Sequence, residues 1–194
     1  MTAVPVLARP GKDEVDPLLG EAERLVVVGD DADLAAVLTR LLRTERLDVE
    51  LAHVSPQPSA ATRCWGLPAG AAAAALALTG TARPRPLARD DAGIALVGRA
   101  SITGPDGERL TGETYADNTR VFTGTSAGLW IEPSGDEPGL RVAEQRRWRP
   151  RWVTGRAVQT GSTGLVLTRD GVQHERVLKR STFYRHTTDW LLVG

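Results

Sequence analysis

LVVVGDDADLAAVL, residues 25–38, is the stretch of sequence that decides the fold. An apolar run ends at Gly29-Asp30, and leucine and valine then recur at spacings that share one face of a helix, at positions 34, 37, 38, 41 and 42. The stretch predicts a strand over 24–28, a tight turn, and a helix over 32–44 with Asp31 or Asp33 as its N-cap. Many α/β proteins hold a phosphate at such a turn.

The chemistry of this turn differs from that of a phosphate loop. A phosphate cradle has two or three glycines, whereas here only Gly29 is present, and Asp30, Asp31 and Asp33 stand where an anion would lie. The three carboxylates would repel a triphosphate unless Mg²⁺ lay between them, which makes them candidate metal ligands. The simpler interpretation is a polar turn whose aspartates cap the helix and favour its dipole.

Composition limits the classes of function. The chain has 194 residues, with 24 basic and 24 acidic side chains, so a surface built throughout for nucleic acid or anionic lipid is disfavoured. Cys64 is the only cysteine, which excludes an intrachain disulfide and a cysteine-based metal site. The N-terminal residues do not resemble a signal peptide, and the longest apolar run, 69–78, is about half the ~20 residues of a membrane span. A cytoplasmic protein without a transmembrane segment is expected.

The character of the chain changes near residue 80. Residues 1–23 predict an extended arm with one short strand over 3–7, and residues 24–80 predict an α/β lobe. In that lobe we expect a second strand (49–54), a short strand (64–67) and an alanine-rich helix (71–78). Residues 81–93, with two prolines and several charged residues, predict a linker. Residues 94–194 have short β-branched runs between turns, with hairpin signals at 104–107 and 170–171, and predict an antiparallel all-β lobe.

Four segments occur in a recognisable order: Gly29-Asp30 after a strand, Pro68 and Gly70 before a helix, Val97-Gly98-Arg99 with Phe122 and Gly128, and Asp170-Gly171 near the end. This order resembles the diacylglycerol kinase and NAD kinase superfamily, particularly its bacterial lipid kinases. The resemblance implies a Rossmann-like α/β lobe with parallel strands, followed by an antiparallel β-sandwich-like lobe, with the active site between them. It also implies cofactor-binding candidates Gly29, Asp30, Pro68 and Gly70, and catalytic candidates Asp30 and Asp170.

The departures from the family pattern have chemical consequences. The family motif Gly-Gly-Asp-Gly-Thr is matched only at Gly29 and Asp30, the motif Pro-x-Gly-Thr-Gly-Asn only at Pro68 and Gly70, and Val172 replaces the glutamate of Asp-Gly-Glu. The residues before Leu25 are too few for the family's opening strand, glycine-rich loop and helix. Phosphoryl transfer depends on positioning and charge stabilisation, which these replacements remove. The sequence therefore predicts a truncated, catalytically degenerate kinase-like protein that binds a nucleotide, a phospholipid headgroup or a protein partner in the cleft. A homo-oligomer is left open.

Two alternatives remain open at this stage. The first is an active phosphotransferase that uses ATP and Mg²⁺ in a rearranged site. The second is a protein that binds an anionic surface, either a membrane or a nucleic acid, through residues 146–152, Arg-Arg-Trp-Arg-Pro-Arg-Trp. Arginines interleaved with tryptophans are typical of such binding, and the candidates are Arg146, Arg147, Arg149 and Arg151. The simpler interpretation of that segment is an edge strand or loop with solvated arginines. The neighbouring Glu144 and the zero net charge disfavour nucleic acid.

Overall fold

Four α-helices and fifteen strands form two lobes in the computed structural model, which describes residues 3–146 and 148–194. The helices are α1 (Lys12–Val15), α2 (Asp31–Arg43), α3 (Ala60–Trp65) and α4 (Ala71–Thr79). The strands are β1 (Arg24–Val28), β2 (Glu50–Val54), β3 (Ala82–Arg85), β4 (Ala88–Asp90), β5 (Ala95–Leu96), β6 (Ala100–Thr103), β7 (Leu110–Ala116), β8 (Thr119–Ser126), β9 (Leu129–Pro133), β10 (Leu140–Glu144), β11 (Val153–Gly155), β12 (Ala157–Arg169), β13 (Val172–Gln173), β14 (Leu178–Arg185) and β15 (Trp190–Val193).

The α/β lobe is built on a four-stranded sheet in the order β1-β2-β15-β3. The pairs β1-β2 and β2-β15 are parallel, and β3 closes the sheet as an antiparallel edge strand. The predicted apolar face of α2 is confirmed, because Leu34, Leu38 and Leu41 are fully buried in the core of this lobe. The Rossmann-like arrangement expected for the first lobe is therefore present.

The β lobe is an eleven-stranded antiparallel sheet that folds around a second core, as the sequence predicted. Its longest strand, β12, connects the two halves: residues 157–165 pair with β14 or β7, and residues 166–169 pair with β6. Because β12 belongs to both halves, the sheet curls over side chains such as Ile102, Leu165 and Phe183, which are fully buried.

Two local predictions in the first 70 residues were wrong. Residues 64–67 were expected to form a strand, but Cys64 and Trp65 end helix α3, whose N-terminus is capped by Ser59. The Oγ of Ser59 accepts from the N–H of Thr62, and the Oγ of Thr62 accepts from the N–H of Ser59. This reciprocal cap starts a helix inside a segment whose apolar composition suits a strand. Residues 3–7 form no strand, and helix α1 follows at Lys12.

Some strands belong to a different sheet from the one expected from their position in the sequence. The range 81–93, expected as a linker, contains β3 in the small sheet and β4 in the large one. The range 94–194, expected as the all-β lobe, ends with β15, which pairs with β2 and β3 in the small sheet. The turn at 104–107 joins β6 to β7, which do not pair with each other, so the hairpin expected there is absent. The hairpin at Asp170-Gly171 is confirmed.

Within the described part of the chain, no helix has the length and apolarity of a membrane span.

Candidate functional site

The ends of β1 and β2 place two turns side by side. The N–H of Gly29, after β1, donates to the carbonyl of Val54 at 3.2 Å, and the N–H of Gly70 donates to the carbonyl of Ser55 at 2.8 Å. Neighbouring parallel strands end at one edge of a sheet, which is where α/β proteins bind ligands. The candidates Gly29 and Gly70 thus both adjoin the end of β2, but the loop that leaves β2 directly is 55–59 rather than the Pro68-Gly70 turn.

The first turn is closed by its own aspartates. Asp30, not Asp31 or Asp33, is the N-cap of α2: its Oδ1 accepts from the N–H of Asp33 at 3.0 Å. Asp33 returns the contact, because its Oδ2 accepts from the N–H of Asp30 at 3.0 Å, and its Oδ1 accepts from the N–H of Arg9 at 2.6 Å. The Asp33 carboxylate also lies over Gly29, where a Cβ would be only 2.2 Å from Oδ2. The space above the single glycine of the turn is therefore already occupied.

The Asp31 side chain contacts the neighbouring helix α3. This side chain is buried, and its Oδ2 accepts from the N–H of Ala61, in the first turn of α3, at 3.0 Å. Its Oδ1 is also buried and has no hydrogen-bond partner among the described residues. The N–H groups at a helix N-terminus attract anions, and in α3 a carboxylate of the chain itself takes that place.

The loop 55–59 has few donors for a phosphate. Pro56 and Pro58 carry no N–H, and the Oγ of Ser55 donates to the carbonyl of Gln57 at 2.7 Å. The N–H of Ser59 is bonded to the Oγ of Thr62. A phosphate cradle is made of several converging free backbone N–H groups, and two of the five residues of this loop are prolines while the N–H of Ser59 is already engaged.

Asp170 lies in the hairpin turn of the β lobe, and its carboxylate is fully engaged. Oδ1 accepts from the N–H groups of Gly98 and Arg99 at 2.8 and 2.9 Å, and Oδ2 accepts from the N–H of Val97 at 3.0 Å. Burial raises the pKa of Asp170 from its ordinary 3.8 to about 7, against the three N–H donors, which lower it, and the nearby Asp31 carboxylate adds to the rise. The Asp170 carboxylate thus fixes the backbone of residues 97–99, which lead into the β lobe.

Gly98 is the residue that sequence reasoning undervalued. A Cβ at this position would lie 2.7 Å from the N of Ala61 and 2.9 Å from Oδ2 of Asp31, so the backbone of α3 and the Asp31 carboxylate both press against it. With Asp170 bonded to its N–H, Gly98 stands between the two buried carboxylates. The sequence signal was the glycine in a run of apolar residues, which often marks a close backbone approach.

Helix α3 also contacts residues 97–98, through hydrogen bonds to their carbonyl groups. The indole Nε1 of Trp65 donates to the carbonyl of Val97 at 2.7 Å, and the Sγ of Cys64 donates to the carbonyl of Gly98 at 3.3 Å. Burial raises the pKa of the Cys64 thiol to about 12, so the sulfur is a structural hydrogen-bond donor rather than a thiolate nucleophile.

A crevice runs between α2 and the Asp170 hairpin and has two adjoining parts. One, of about 430 Å³, is lined by Asp30, Asp33 and Asp170 together with Gly171 to Gln173 and Ala8-Arg9. The other, of about 390 Å³, continues along α2 towards Arg43. The structure thus brings the catalytic candidates Asp30 and Asp170 to one crevice, which the N-terminal segment partly covers. Among residues 3–146 and 148–194, no three His, Cys, Asp or Glu side chains converge as a metal site would require.

The arginine and tryptophan segment lies away from this crevice, at the end of β10. Arg146 pairs with Glu144 at 2.6 Å, and the Trp152 ring lies under the guanidinium of Arg141, with 4.6 Å between the guanidinium carbon and the ring centroid. Trp148 is 79% exposed, and Arg149 and Arg151 are exposed beside it. Arg147 lies outside the described residues. Binding of an anionic surface by this segment stays a prediction.

Comparison with solved structures identifies the arrangement of the two lobes. The sequence matches no protein-family model and no curated protein. A putative diacylglycerol kinase from Bacillus anthracis str. Sterne superposes with a TM-score of 0.75 at 11% identity, over 97% of this chain and 82% of that one. This protein has the diacylglycerol kinase and NAD kinase fold.

Structures of an NAD kinase and of an NADH kinase support the same conclusion about the fold. An NAD kinase from Archaeoglobus fulgidus in complex with ATP gives a TM-score of 0.58 at 11% identity, over 89% of this chain and 78% of that one. Yeast NADH kinase complexed with NADH gives 0.60 at 9% identity, over 92% of this chain and 64% of that one. Identities of 9–11% show that the fold is shared but do not show that the chemistry is.

Proposed function

We propose that this protein is a catalytically degenerate kinase-fold protein whose interlobe crevice binds a ligand without transferring a phosphoryl group. The observation that carries the proposal is the use of carboxylates of the chain at the anion-binding positions. Asp33 lies over Gly29, and Asp31 accepts a hydrogen bond from the N–H of Ala61 in the first turn of α3. A triphosphate at this edge would have to displace both groups and would meet their negative charge.

The engagement of the catalytic candidates supports the same proposal. Asp30 and Asp33 satisfy each other's backbone N–H groups, and Asp170 accepts three N–H bonds from the segment 97–99. Each carboxylate therefore has a structural task, and withdrawing one to hold Mg²⁺ would leave backbone donors unsatisfied. Such donors cost about 1–3 kcal/mol each when they are buried.

Nucleotide binding by the whole chain tests the proposal. In isothermal titration, ATP and NAD, each with and without Mg²⁺, are expected to bind no tighter than about millimolar. The variant Asp33→Asn, which removes the charge above Gly29, is expected to bind ATP more tightly than the wild type. Asp13→Asn, which removes an exposed charge from α1, is the matched control and is expected to leave the affinity unchanged. Micromolar, Mg²⁺-dependent binding of ATP by the wild type would contradict the proposal.

An active phosphotransferase is the second candidate function. It is favoured by one observation: Asp30, Asp33 and Asp170 line the same crevice, and the pKa of about 7 of Asp170 suits a general base. A phosphate-transfer assay with ATP, Mg²⁺ and either diacylglycerol or NAD tests it. Turnover that is lost in Asp30→Asn would establish this function in place of the degenerate one, and turnover equal in the variant and the wild type would remove Asp30 from the chemistry.

A further inference from the structure

The face of α2 that looks towards the β lobe changes character along its length. Ala32, Ala35 and Ala36 occupy its first turns, and Arg40 and Arg43 follow at the same helical spacing. The small side chains leave room between the helix and the start of β5, where Ile94 and Ala95 form the opposite wall. The result is the pocket of about 390 Å³ described above, a volume in the range of small-molecule sites.

The charged side chains that line this pocket are mostly positive, although the Asp16 carboxylate lies close enough to Lys12 and Arg40 to interact with both. Its lining contains the basic residues Arg9, Lys12, Arg40, Arg43 and Arg169, and one acidic residue, Asp170. Two of these cations are already engaged, since Arg40 pairs with Asp16 and Arg169 with Asp90, each at 2.7 Å. Arg9, Lys12 and Arg43 are exposed and form no ion pair within residues 3–146 and 148–194.

The Asp170 carboxylate does little to offset these cations. It is buried and turned towards the backbone of 97–99, and burial raises its pKa to about 7, so a large fraction of it is neutral near that pH. The pocket therefore combines an apolar floor with a cationic rim. A small neutral ligand would leave the cations unused, and a free inorganic anion would leave the floor uncovered.

We propose that this pocket binds an amphiphilic anion, an aryl or short alkyl phosphate or carboxylate. The apolar body lies on the alanine face of α2, and the anionic group lies between Lys12 and Arg43. The inference rests on the proposed function in that both place a ligand in the interlobe crevice. It differs in location, because this pocket extends along α2 away from the Gly29-Asp30 turn, where the structure holds its own carboxylates.

Isothermal titration of the whole chain with two naphthyl anions tests the inference. 1-Naphthyl phosphate and 1-naphthoate separate a phosphate from a carboxylate preference, and 1-naphthol and inorganic phosphate supply the body and the anion alone. At least one naphthyl anion is expected to bind about tenfold tighter than both fragments, and more weakly at high salt. Affinity for the naphthyl anions no greater than for the fragments would overturn the inference.

Two variants locate the binding. Lys12→Gln combined with Arg43→Gln is expected to weaken naphthyl anion binding about fivefold to tenfold, because two partly solvated charge contacts are lost. Lys179→Gln combined with Arg180→Gln, on exposed positions of β14, is the matched control and is expected to change nothing. Ala36→Phe fills the floor and is expected to abolish binding with retained circular dichroism. Unchanged binding in both pocket variants would contradict the proposed location.

The failures of the two proposals are distinguishable. Phosphate transfer from ATP would overturn the degenerate function whatever the naphthyl anions do. Absence of naphthyl anion binding, together with absence of phosphate transfer, would overturn only the pocket assignment. Tight ATP binding that Ala36→Phe leaves intact would place the nucleotide at the Gly29-Asp30 turn and contradict the closed state of that turn.

Discussion

The turn at Gly29-Asp30 and the turn at Asp170-Gly171 both carry an aspartate after a strand and both face the interlobe crevice, but they use the carboxylate differently. Asp30 bonds to a residue three positions away, and its effect is confined to the start of α2. Asp170 bonds to residues more than seventy positions away and fixes the path of the chain between the lobes. The first turn is a local cap, and the second is a long-range tie. The difference predicts that perturbations near Asp170 cost more stability than those near Asp30.

The largest effect is expected at Gly98, where the tie meets α3. In Gly98→Ala the new Cβ would lie 2.7 Å from the N of Ala61, a backbone atom that cannot move without shifting α3. We expect a loss of about 3 kcal/mol in the free energy of unfolding, measured by denaturant titration. Gly161→Ala is the matched control, because a Cβ there meets nothing within 4 Å, and its effect is expected to be small. Equal effects of the two variants would show that the segment 97–99 is not tightly held.

The second prediction concerns the hydrogen bonds between the Asp170 carboxylate and the backbone of residues 97–99. Asp170→Asn replaces one carboxylate oxygen with an NH₂ group, which leaves at least one backbone N–H of 97–99 facing a donor. We expect a loss of about 2 kcal/mol near pH 5, measured by denaturant titration.

The loss in Asp170→Asn should also depend on pH. Because the folded pKa of Asp170 lies above its ordinary 3.8, at about 7, its contribution to stability is greatest below pH 4 and falls as the pH rises to 7. The advantage of the wild type over Asp170→Asn should therefore shrink across that range. A difference that grows with pH would show that the carboxylate is stabilised in its charged form by the three N–H groups.

A smaller effect is expected at the local cap. Asp30→Ala removes the acceptor for the N–H of Asp33 but leaves the segment 97–99 and Asp170 untouched. We expect a loss of about 1 kcal/mol in the free energy of unfolding, the usual value for an N-cap. A loss as large as that of Asp170→Asn would break the distinction between a local cap and a long-range tie.

The smallest expected effect is a change in the pKa of Asp170 when the nearby charge of Asp31 is removed. The Asp31 carboxylate raises the pKa of Asp170, so Asp31→Asn should lower that pKa. The amide oxygen can still accept from the N–H of Ala61, so little stability should be lost. Carbon-detected NMR titration of Asp170 measures the shift. Asp13→Asn, which removes an exposed carboxylate of α1, is the control. An unchanged Asp170 pKa in Asp31→Asn would show that the Asp31 and Asp170 carboxylates do not interact.

The parts of the fold that the sequence predicted correctly depend on local signals. The strand β1, the turn at Gly29 and the helix α2 follow from the spacing of apolar residues over 24–44, and helix α4 from its alanines and Gly80. Helix α3 was missed because Cys64, Trp65 and Leu67 resemble a strand, while its start depends on the Ser59 and Thr62 cap. The two-lobe order followed from the change in residue pattern near residue 80, and the family resemblance agreed with it.

The site was less predictable because its contacts are long-range. Asp31 and Ala61 are thirty residues apart, and Asp170 and Val97 are seventy-three apart, so no spacing pattern links them. The cluster of Asp30, Asp31 and Asp33 was interpreted either as metal ligands or as a polar turn with Asp31 or Asp33 as the N-cap, and in the structure the N-cap is Asp30. The positive rim of the α2 pocket brings Lys12 and Arg43 together with Arg169, and these residues share no motif.

The return of β15 to the small sheet has a consequence for folding during synthesis. Trp190 and Leu192 belong to the core of the α/β lobe, and the ring of Trp190 meets Trp65 edge-on with 5.6 Å between centroids. While the ribosome has delivered only the first half of the chain, that lobe lacks a central strand of its sheet and the buried side chains of Trp190 and Leu192. The sheet of the α/β lobe is therefore complete only after residues 190–193 emerge, although the β lobe does not depend on them.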